Sequence, residues 1–369
     1  MAACAEEAGN SAEPEAWLTG SSRLSELLGN NGLEGYSRAI EQRAFSFPAD
    51  HGPHKDFRNE WWYVTGNLDG AEGQRFGFEL TFFRFSLTPG DEHSLRSEWR
   101  TNQVYIAHFA ISDVGSDEFH VAQRFSRGAA GLAGAVADPF RVWIDDWTMA
   151  EGASTEQWEL QAYGDGFGLE LDLTPLKQPV LNGDRGLSRK SAETGNASYY
   201  YSIPRMKSDG VLKIADRTYA VSGLSWLDRE WSSSALSKEQ RGWDWFALQL
   251  SDGSELMFYQ LRRDDGSVDI HSAGTWVDPS GNVIHLQHDD VSIVVTDDWQ
   301  SERGGRYPAG WEISIPSLDA SFDVTPAMAD QELLTNVRYW EGAVDVSGGA
   351  GGESVSGRGY VELTGYAEN

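Results

Sequence analysis

Short runs in which apolar and polar residues alternate fill the chain from about residue 60 onward. Trp61 to Leu68 and Phe76 to Arg84 form one such pair of runs. A period of two residues is typical of β-strands, and glycine-rich turns such as Ser251 to Ser254 separate the runs. Helical spacing occurs between residues 21 and 45, in a leucine-rich stretch that ends at Gly29. We therefore expect an all-β chain after a short N-terminal helical segment.

Blocks of sequence recur in the second half of the chain in the order they have in the first half. The recurring pairs are Asp145–Trp147 with Asp297–Trp299, Trp158–Leu160 with Trp311–Ile313, and Leu171–Pro175 with Phe322–Pro326. Their offsets lie between 151 and 153 residues, which indicates an internal repeat. The runs at 60–84 return less regularly at 223–263, which we explain by an insertion near residues 228–242 of the second copy.

Each copy is long enough for roughly eight to ten short strands, and a sheet of that size that closes on itself has no exposed edge. A barrel of this kind can hold one small ligand. The sequence therefore predicts two similar antiparallel β-barrels that arose by internal duplication. The predicted division is a tail with a short helix over 1–44, a first barrel over 45–208 and a second barrel over 209–369.

Acidic residues dominate the charge of the chain. It has 57 acidic and 29 basic residues in 369, which gives a formal net charge of −28. A field of this sign repels nucleic acids and anionic membrane surfaces, so we expect neither as a partner. The charge favours solubility, or alternatively it reflects a saline habitat. The sequence has no apolar run long enough for a transmembrane helix.

Cys4 is the single cysteine, and it follows the small residues Met-Ala-Ala. This start resembles the end of a bacterial lipoprotein signal, whose apolar part precedes the cysteine. The alternative is a chance cysteine in a disordered N-terminus. The first interpretation predicts an exported protein, a periplasmic or outer-envelope lipoprotein with its signal peptide removed and a possible lipid anchor at Cys4.

Aromatic and charged residues are mixed most densely between residues 223 and 263, where four tryptophans lie within twenty positions. Aromatic side chains offer much apolar area at little entropic cost, whereas charged groups among them are costly to bury unless paired. This mixture favours a lined cavity over a plain core. The candidate acids and their aromatic neighbour are Asp228, Glu230, Asp244 and Trp231. The candidate ligand-binding residues, here and in the earlier runs, are Glu60, Trp61, Trp62, Tyr63, Arg84, His108, Arg229, Trp243 and Trp245.

The Asp228-Arg229-Glu230 segment is predicted on a loop or bulge, at a barrel mouth or at the domain interface. Arg229 either holds the insertion in place through a salt bridge, or a carboxyl here stays protonated in apolar surroundings and acts as a general acid. Trp231 and Trp243 either fill a barrel or line a pocket, where their π faces stabilise positive charge.

Three consecutive aromatic residues after Glu60 predict a strand that is packed on both faces, between a barrel interior and the other domain. Glu60 is either a partner of Arg58 or Arg84, or a site carboxylate. His108 lies in an apolar run, where it is either a core histidine with a hydrogen-bond partner or a catalytic base.

A histidine- and aspartate-containing loop at residues 50–56 lacks the fixed ligand spacing of a zinc motif. The Gly-x-Ser-x-Gly motif of serine hydrolases is absent from the sequence. We therefore predict neither a metal nor a cofactor.

Several motifs in the right order resemble the AttH-type proteins, which are related to carotenoid 1,2-hydratase (hydroxyneurosporene synthase) and to some fungal cyclases. The motifs are Phe47–His54, Arg58–Tyr63, Trp226–Trp231 and Gly242–Trp245. The resemblance covers about Phe45 to Tyr366 and implies two lipocalin-like domains.

In the hydratase branch the resemblance implies a site built from a His and a Trp of an Asp-His-x-Trp motif, with a Tyr and an Asp on a following strand. Here Arg229 occupies the histidine position and Trp231 matches the tryptophan. Tyr259 matches the tyrosine, which adds it to the candidate catalytic residues, whereas Leu261 stands where the acid is expected.

Three functions follow from these observations. The first is binding of a hydrophobic or amphipathic small molecule, lipid- or isoprenoid-like, in an aromatic cavity at the domain junction that touches Trp62 and Trp243 or Trp245. The second is an acid-initiated hydratase, isomerase or cyclase acting on such a molecule, with Glu230 or Asp244 preferred as the acid because Arg229 adjoins Asp228. The third is a structural envelope protein without a ligand.

Overall fold

The computed structural model describes residues 32–90, 100–154, 157–234, 236–335 and 337–367. Over these residues the chain forms β-strands and two short 3-10 turns, Ala49–His51 and Pro316–Leu318, with no α-helix. The predicted helix ending at Gly29 lies outside the described residues, as does Cys4. The described residues before β1 contain a lone 3-10 turn, Ala49–His51, and do not support the helical segment. Nothing helical in the described part of the chain is long and apolar enough to cross a membrane.

The first sheet contains thirteen strands in the described residues. They are β1 Asn59–Gly70, β2 Arg75–Ser86, β3 Gln103–Asp113, β4 Glu118–Arg127, β5 Ala133–Ala137, β6 Phe140–Ile144, β7 Trp147–Glu151, β8 Trp158–Tyr163, β9 Phe167–Pro175, β10 Val180–Leu181, β11 Leu187–Arg189, β12 Ala197–Ile214 and β13 Arg217–Ser234. The order across the sheet is β4-β3-β2-β1-β13-β12-β9-β8-β7-β6-β5, and the two shortest strands, β10 and β11, also pair with β12.

The second sheet contains ten strands in the same part of the structure. They are β14 Gln240–Leu250, β15 Glu255–Arg263, β16 Ala273–Val277, β17 Val283–Gln287, β18 Ser292–Gln300, β19 Arg306–Ile315, β20 Ala320–Pro326, β21 Glu332–Leu334, β22 Arg338–Ala350 and β23 Glu353–Leu363. Their order is β17-β16-β15-β14-β23-β22-β20-β19-β18, with β21 beside β22.

The two sheets share the order of their main strands, although the first has more strands, which confirms the predicted duplication. Each begins with a four-strand meander, β1–β4 or β14–β17, whose first strand pairs with the last long strand of its own sheet. The recurring sequence blocks lie on equivalent strands, β7–β9 in the first sheet and β18–β20 in the second. Each sheet curls around an apolar core of its own, so the predicted pair of antiparallel barrels is confirmed.

A third apolar cluster lies between the two barrels, where the outer face of β1, β12 and β13 packs against β14, β15, β22 and β23. β1 is therefore covered on both faces, as its consecutive aromatic residues predict. Trp62 belongs to the core of the first barrel, whereas Tyr63 belongs to the cluster between the barrels, since successive side chains of a strand point to opposite faces.

The structure corrects the prediction for residues 228–234. These residues are not an insertion on a loop or bulge, but the end of β13, which lies in the middle of the first sheet between β1 and β12. Charged residues are accommodated in this buried strand because each has a partner. The expected location at the domain interface holds for the side chains of Asp228 and Glu230.

The predicted domain boundary at 208/209 lies within β12, whereas the change from one sheet to the other falls between Ser234 and Gln240. Division of the chain into two separately folding domains remains a prediction.

Candidate functional site

Strand alternation distributes the candidate residues over three places. Inside the first barrel lie Glu60, Trp62, Arg84, Arg229 and Trp231. Between the barrels lie Trp61, Tyr63, His108, Asp228, Glu230, Trp243, Trp245 and Tyr259. Asp244 lies inside the second barrel, next to Arg262 and Tyr366. A single cavity touching Trp62 and Trp245 is not possible, because these two side chains lie on opposite sides of β1.

Inside the first barrel, Glu60 is bonded to two arginines, Arg84 and Arg229. The backbone N–H of His54 also donates to this carboxylate, at 3.0 Å, and the His54 ring stacks on Trp231 with 3.7 Å between ring centroids. Burial opposes ionisation, but the two guanidinium groups outweigh it and hold the pKa of Glu60 well below its usual range. Glu60 is thus a structural ion-pair partner, and one of its arginines is the expected Arg84.

The same network fixes the loop that precedes β1. The indole N–H of Trp62 donates to the carbonyl of His51 at 2.8 Å, and Arg229 donates to the carbonyl of Gly52 at 2.6 Å. The His51 ring also hydrogen-bonds the hydroxyl of Tyr201, at 2.6 Å. Arg229 therefore holds the loop against the barrel interior instead of facing Asp228.

The second barrel has an equivalent acid–arginine pair. Arg262 on β15 donates to Asp244 on β14 at 2.8 Å, just as Arg84 on β2 donates to Glu60 on β1. The hydroxyl of Tyr366 also donates to Asp244, at 3.0 Å. Burial raises the pKa of Asp244 although Arg262 acts in the opposite direction. Both barrels thus contain an arginine-paired acid in their interior.

Asp228 faces the space between the barrels without an arginine. The hydroxyls of Tyr200 and Ser202 donate to it, and the indole N–H of Trp226 donates at 2.7 Å. Trp245, from the second sheet, donates to the Tyr200 hydroxyl at 3.2 Å. Burial outweighs these hydrogen bonds and raises the pKa of Asp228 to about 7.

Glu230 has a cationic partner on the same face. Lys190 Nζ lies 3.2 Å from its carboxyl, and Ser198 donates to the same oxygen. The ammonium group also lies 3.9 Å from the centroid of the Tyr259 ring. Burial alone would lower the pKa of Lys190, but Glu230 and Tyr259 outweigh it and the pKa is raised.

The residues implied by the hydratase motif do not converge. Arg229 and Trp231 point into the first barrel, whereas Tyr259 and Leu261 lie between the barrels. The Tyr259 hydroxyl bonds Ser188 at 2.9 Å.

Three acids between the barrels were missed by the sequence analysis, namely Glu79 on β2, Glu341 on β22 and Glu362 on β23. Glu79 and Glu341 are fully buried, whereas Glu362 is partly exposed. Burial raises the pKa of Glu362 to about 7 against a hydrogen bond from Trp243, with Asp228 and Glu230 adding to the rise. The sequence feature that could have indicated these acids is an acidic residue inside an otherwise apolar strand, as in Val361-Glu362-Leu363.

Two tryptophans border the partly exposed side of this cluster. Trp61 of β1 and Trp243 of β14 are half-buried and pack against the aromatic residues between the barrels. Glu362 pairs with Trp245 in the β14–β23 ladder and accepts a hydrogen bond from Trp243, so its carboxyl lies next to these two indoles. We call Trp61, Trp243 and Glu362 the cleft mouth.

Among the described residues, no group of three or more His, Cys, Asp or Glu side chains has an arrangement that could hold a metal ion.

Comparison with known proteins decides the family. The profile of the AttH-like family matches residues 38–366. The chain belongs to the AttH-like family. A solved structure assigned to AttH from Nitrosomonas europaea is 35% identical, with a TM-score of 0.80, and the match covers 90% of this chain and 100% of that one.

Two more distant relatives carry enzyme names. Kievitone hydratase from Nectria haematococca shares the fold, with a TM-score of 0.66 at 14% identity over 89% of this chain and 98% of its own. The dehydratase asqC of Emericella nidulans is 21% identical over 309 residues, which is 72% of this chain and 82% of that protein. A sequence relative of this AttH-like chain is thus named a dehydratase, and a protein that shares its fold is named a hydratase.

Proposed function

We propose that this AttH-like protein is an acid-initiated hydratase or dehydratase of a hydrophobic or amphipathic small molecule, acting at the cleft mouth. The observation that carries the proposal is Glu362, a partly exposed carboxyl with a pKa of about 7 beside two tryptophans. A general acid works best when its pKa lies near the working pH, because it is then both protonated and a good donor.

The other acids fit this role less well. Glu60 and Asp244 are paired with arginines inside the barrels, and Glu230 is paired with Lys190. A nearby cation favours the carboxylate, which cannot donate a proton. Asp228 has no cation partner, but it is buried and accepts three hydrogen bonds. This selection departs from the expectation that Glu230 or Asp244 is the acid.

The surroundings of Glu362 suit a cationic transition state. Protonation of an alkene leaves positive charge on carbon, and the π faces of tryptophan and tyrosine attract such charge. Trp61 and Trp243 offer these faces at the mouth, and Trp245 lies behind them. An apolar substrate also gains free energy by covering these aromatic surfaces.

The proposed step is balanced within the site. In hydration, the Glu362 O–H bond breaks as a C–H bond forms on the alkene, and the oxygen of water then bonds the resulting cation. A proton of that water returns to Glu362, which restores the acid. Dehydration follows the same steps in reverse: Glu362 protonates the hydroxyl, water leaves, and the carboxylate takes a proton from the adjacent carbon.

The proposal can be tested with a panel of isoprenoid-like and aryl tertiary alcohols and their corresponding alkenes, incubated in heavy-oxygen water and followed by mass spectrometry. We expect turnover by the wild type and a loss of roughly a hundredfold or more in Glu362→Gln. Asp244→Asn, which removes an arginine-paired acid inside the second barrel, serves as the matched control and retains turnover.

Binding without chemistry is the competing outcome of this experiment. If panel members quench tryptophan fluorescence but none is converted, the protein is a binding protein and the enzyme proposal fails. Equal rates for Glu362→Gln and the wild type would place the acid elsewhere.

A further inference from the structure

Glu79 and Glu341 lie on opposing sheets beside a tight contact between the two barrels. A Cβ atom added to Gly77 of β2 would lie 2.7 Å from the Cβ of Ala343 of β22. Residues two positions apart share a face of a strand, so Glu79 and Glu341 flank this contact and face the opposing sheet. Neither side chain is exposed.

Polar atoms without partners are concentrated at this point. Both carboxyl oxygens of Glu341, one oxygen of Glu79, and the hydroxyls of Tyr63 and Tyr360 are buried and lack a hydrogen bond of regular geometry, although Tyr63 and Tyr339 lie close enough to Glu341 to lower its pKa. Each buried polar group without a partner destabilises a protein by about 1–3 kcal/mol. Burial of two negative charges at one point is far more costly than burial of the neutral acids, which favours protonation of at least one of them.

Within the described residues, no cation is among the groups that act most strongly on the two acids. The groups that act most strongly on the pKa of either carboxyl are acids, phenols and Thr81, and no lysine or arginine is among them. Glu341 also lies directly opposite Glu362 in the β22–β23 ladder, where two like charges repel each other.

The other titratable groups around the pair are acids, phenols and a neutral imidazole. Tyr63 of β1, Tyr339 of β22 and Tyr360 of β23 surround it, with Asp228 and Glu230 of β13 beyond Glu362. His108 of β3 bonds the Tyr339 hydroxyl at 2.6 Å, and burial lowers the pKa of His108 to about 3. Burial, the first cause in both cases, raises the pKa of Glu79 and of Glu341 well above the usual range.

We propose that Glu79 and Glu341 form a proton-binding site between the barrels, in which the two carboxyls hold at least one shared proton and join the sheets through it. A protonated carboxyl has an O–H donor that the carboxylate lacks, and this donor can hydrogen-bond the buried oxygens around it. The ligand of this site is a proton, and the proposal does not depend on whether Glu362 is a catalytic acid.

Infrared spectroscopy of the folded protein tests the proposal without an activity assay, because a protonated carboxyl has its own C=O stretch. At about pH 9, Asp228 and Glu362 are largely ionised, since their pKa values are about 7. We expect the wild type and Glu362→Gln to retain a protonated-carboxyl band at that pH. The double variant Glu79→Gln/Glu341→Gln should lose it entirely.

A wild type without this band, or a double variant that retains it, overturns the proposal. If the double variant does not fold, the single variants Glu79→Gln and Glu341→Gln take its place, and each should weaken or shift the band. The alternative ligand is a metal cation, which titration with K⁺, Na⁺, Mg²⁺ or Ca²⁺ tests. If a cation raises the Tm of the wild type but not that of the variants, the site binds a cation and the shared proton is contradicted.

Discussion

Glu60, Arg84 and Arg229 are all fully buried in the first barrel, and the carboxylate is the shared partner of the two arginines. We predict that Glu60→Gln lowers the free energy of unfolding by about 3–5 kcal/mol, because it leaves two buried cations without a counter-charge. Urea unfolding at neutral pH measures this loss. The control is Asp298→Asn, which breaks an exposed pair with Arg306 and should change stability by at most about 1 kcal/mol.

The stability that the triad of Glu60, Arg84 and Arg229 contributes depends on pH in one direction only. Because the pKa of Glu60 is held below its usual range, its stabilising contribution is complete above the unfolded-state pKa of 4.5. The contribution is lost as the pH falls through the folded-state value. The destabilisation by Glu60→Gln should therefore be constant from neutral to alkaline pH, and a loss of stability below about 1 kcal/mol would contradict the role of the triad.

The pKa of Glu362 is shifted in the opposite direction to that of Glu60, which gives a second prediction at the scale of the residue. Its pKa is raised to about 7, so the protonated acid is present below that pH and is lost above it. If Glu362 is the general acid, kcat should be constant below about pH 6 and fall tenfold per pH unit above about pH 8. A pH–rate profile measures this, and the same profile for Asp244→Asn should coincide with that of the wild type. A rate that rises through neutral pH would show that a carboxylate acts as a base instead.

The sequence shows which residue types are present, but the direction of each side chain depends on the element that carries it. Arg229 adjoins Asp228 in the chain, which indicates an ion pair if the segment is a loop. In β13 the two side chains point to opposite faces, so Arg229 meets Glu60 and Asp228 meets Tyr200. Glu79, Glu341 and Glu362 come from three strands of two sheets, and nothing local in the sequence indicates that they meet.

At the scale of the elements, β-strand periodicity and the repeat were sufficient to predict the class of fold. The recurring tryptophans Trp158 and Trp311 are buried on strands of the two equivalent sets, β7–β9 and β18–β20. The end of β13 was predicted as a loop because its charged residues interrupt the apolar pattern. In sequence, a buried strand that contains charged residues looks like a loop, and only its pairing with other strands distinguishes the two. The pairing of β13 involves β12, its neighbour in a tight hairpin, and also β1, which is distant in sequence and covers the other edge.

The contact between β2 and β22 gives a prediction for these elements. Gly77→Val places a branched side chain where even a Cβ would lie 2.7 Å from Ala343, so the sheets must move apart. Overpacking of this kind should lower the free energy of unfolding by about 1–3 kcal/mol. It should also speed amide hydrogen exchange in β2 and β22. Ser347→Val, at an exposed position on β22, is the control and should stay within roughly 0.5 kcal/mol of the wild type.

At the scale of the molecule, buried charges and close packing join the two barrels. Lys177 and Arg205 of the first half both bond Glu255 of the second, and Lys177 Nζ lies 2.6 Å from that carboxylate. Gln331 accepts a hydrogen bond from Ser112 at 2.6 Å across the same interface. These contacts are specific enough for two separate halves to recognise each other, provided that each half keeps its sheet intact.

The position of the chain break is therefore expected to decide whether the halves assemble. A break at residue 235 leaves all thirteen strands of the first sheet on one fragment and all ten of the second on the other, counting the described strands. A break between residues 208 and 209 divides β12 and separates β13 from β1, its partner along twelve residue pairs. We predict that co-expressed fragments 1–235 and 236–369 form a soluble 1:1 complex with the β-rich circular dichroism of the intact chain, whereas fragments 1–208 and 209–369 do not. Size-exclusion chromatography of both pairs measures this, and equal assembly of the two would show that the hydrogen-bonded sheets are not the units in which the molecule folds.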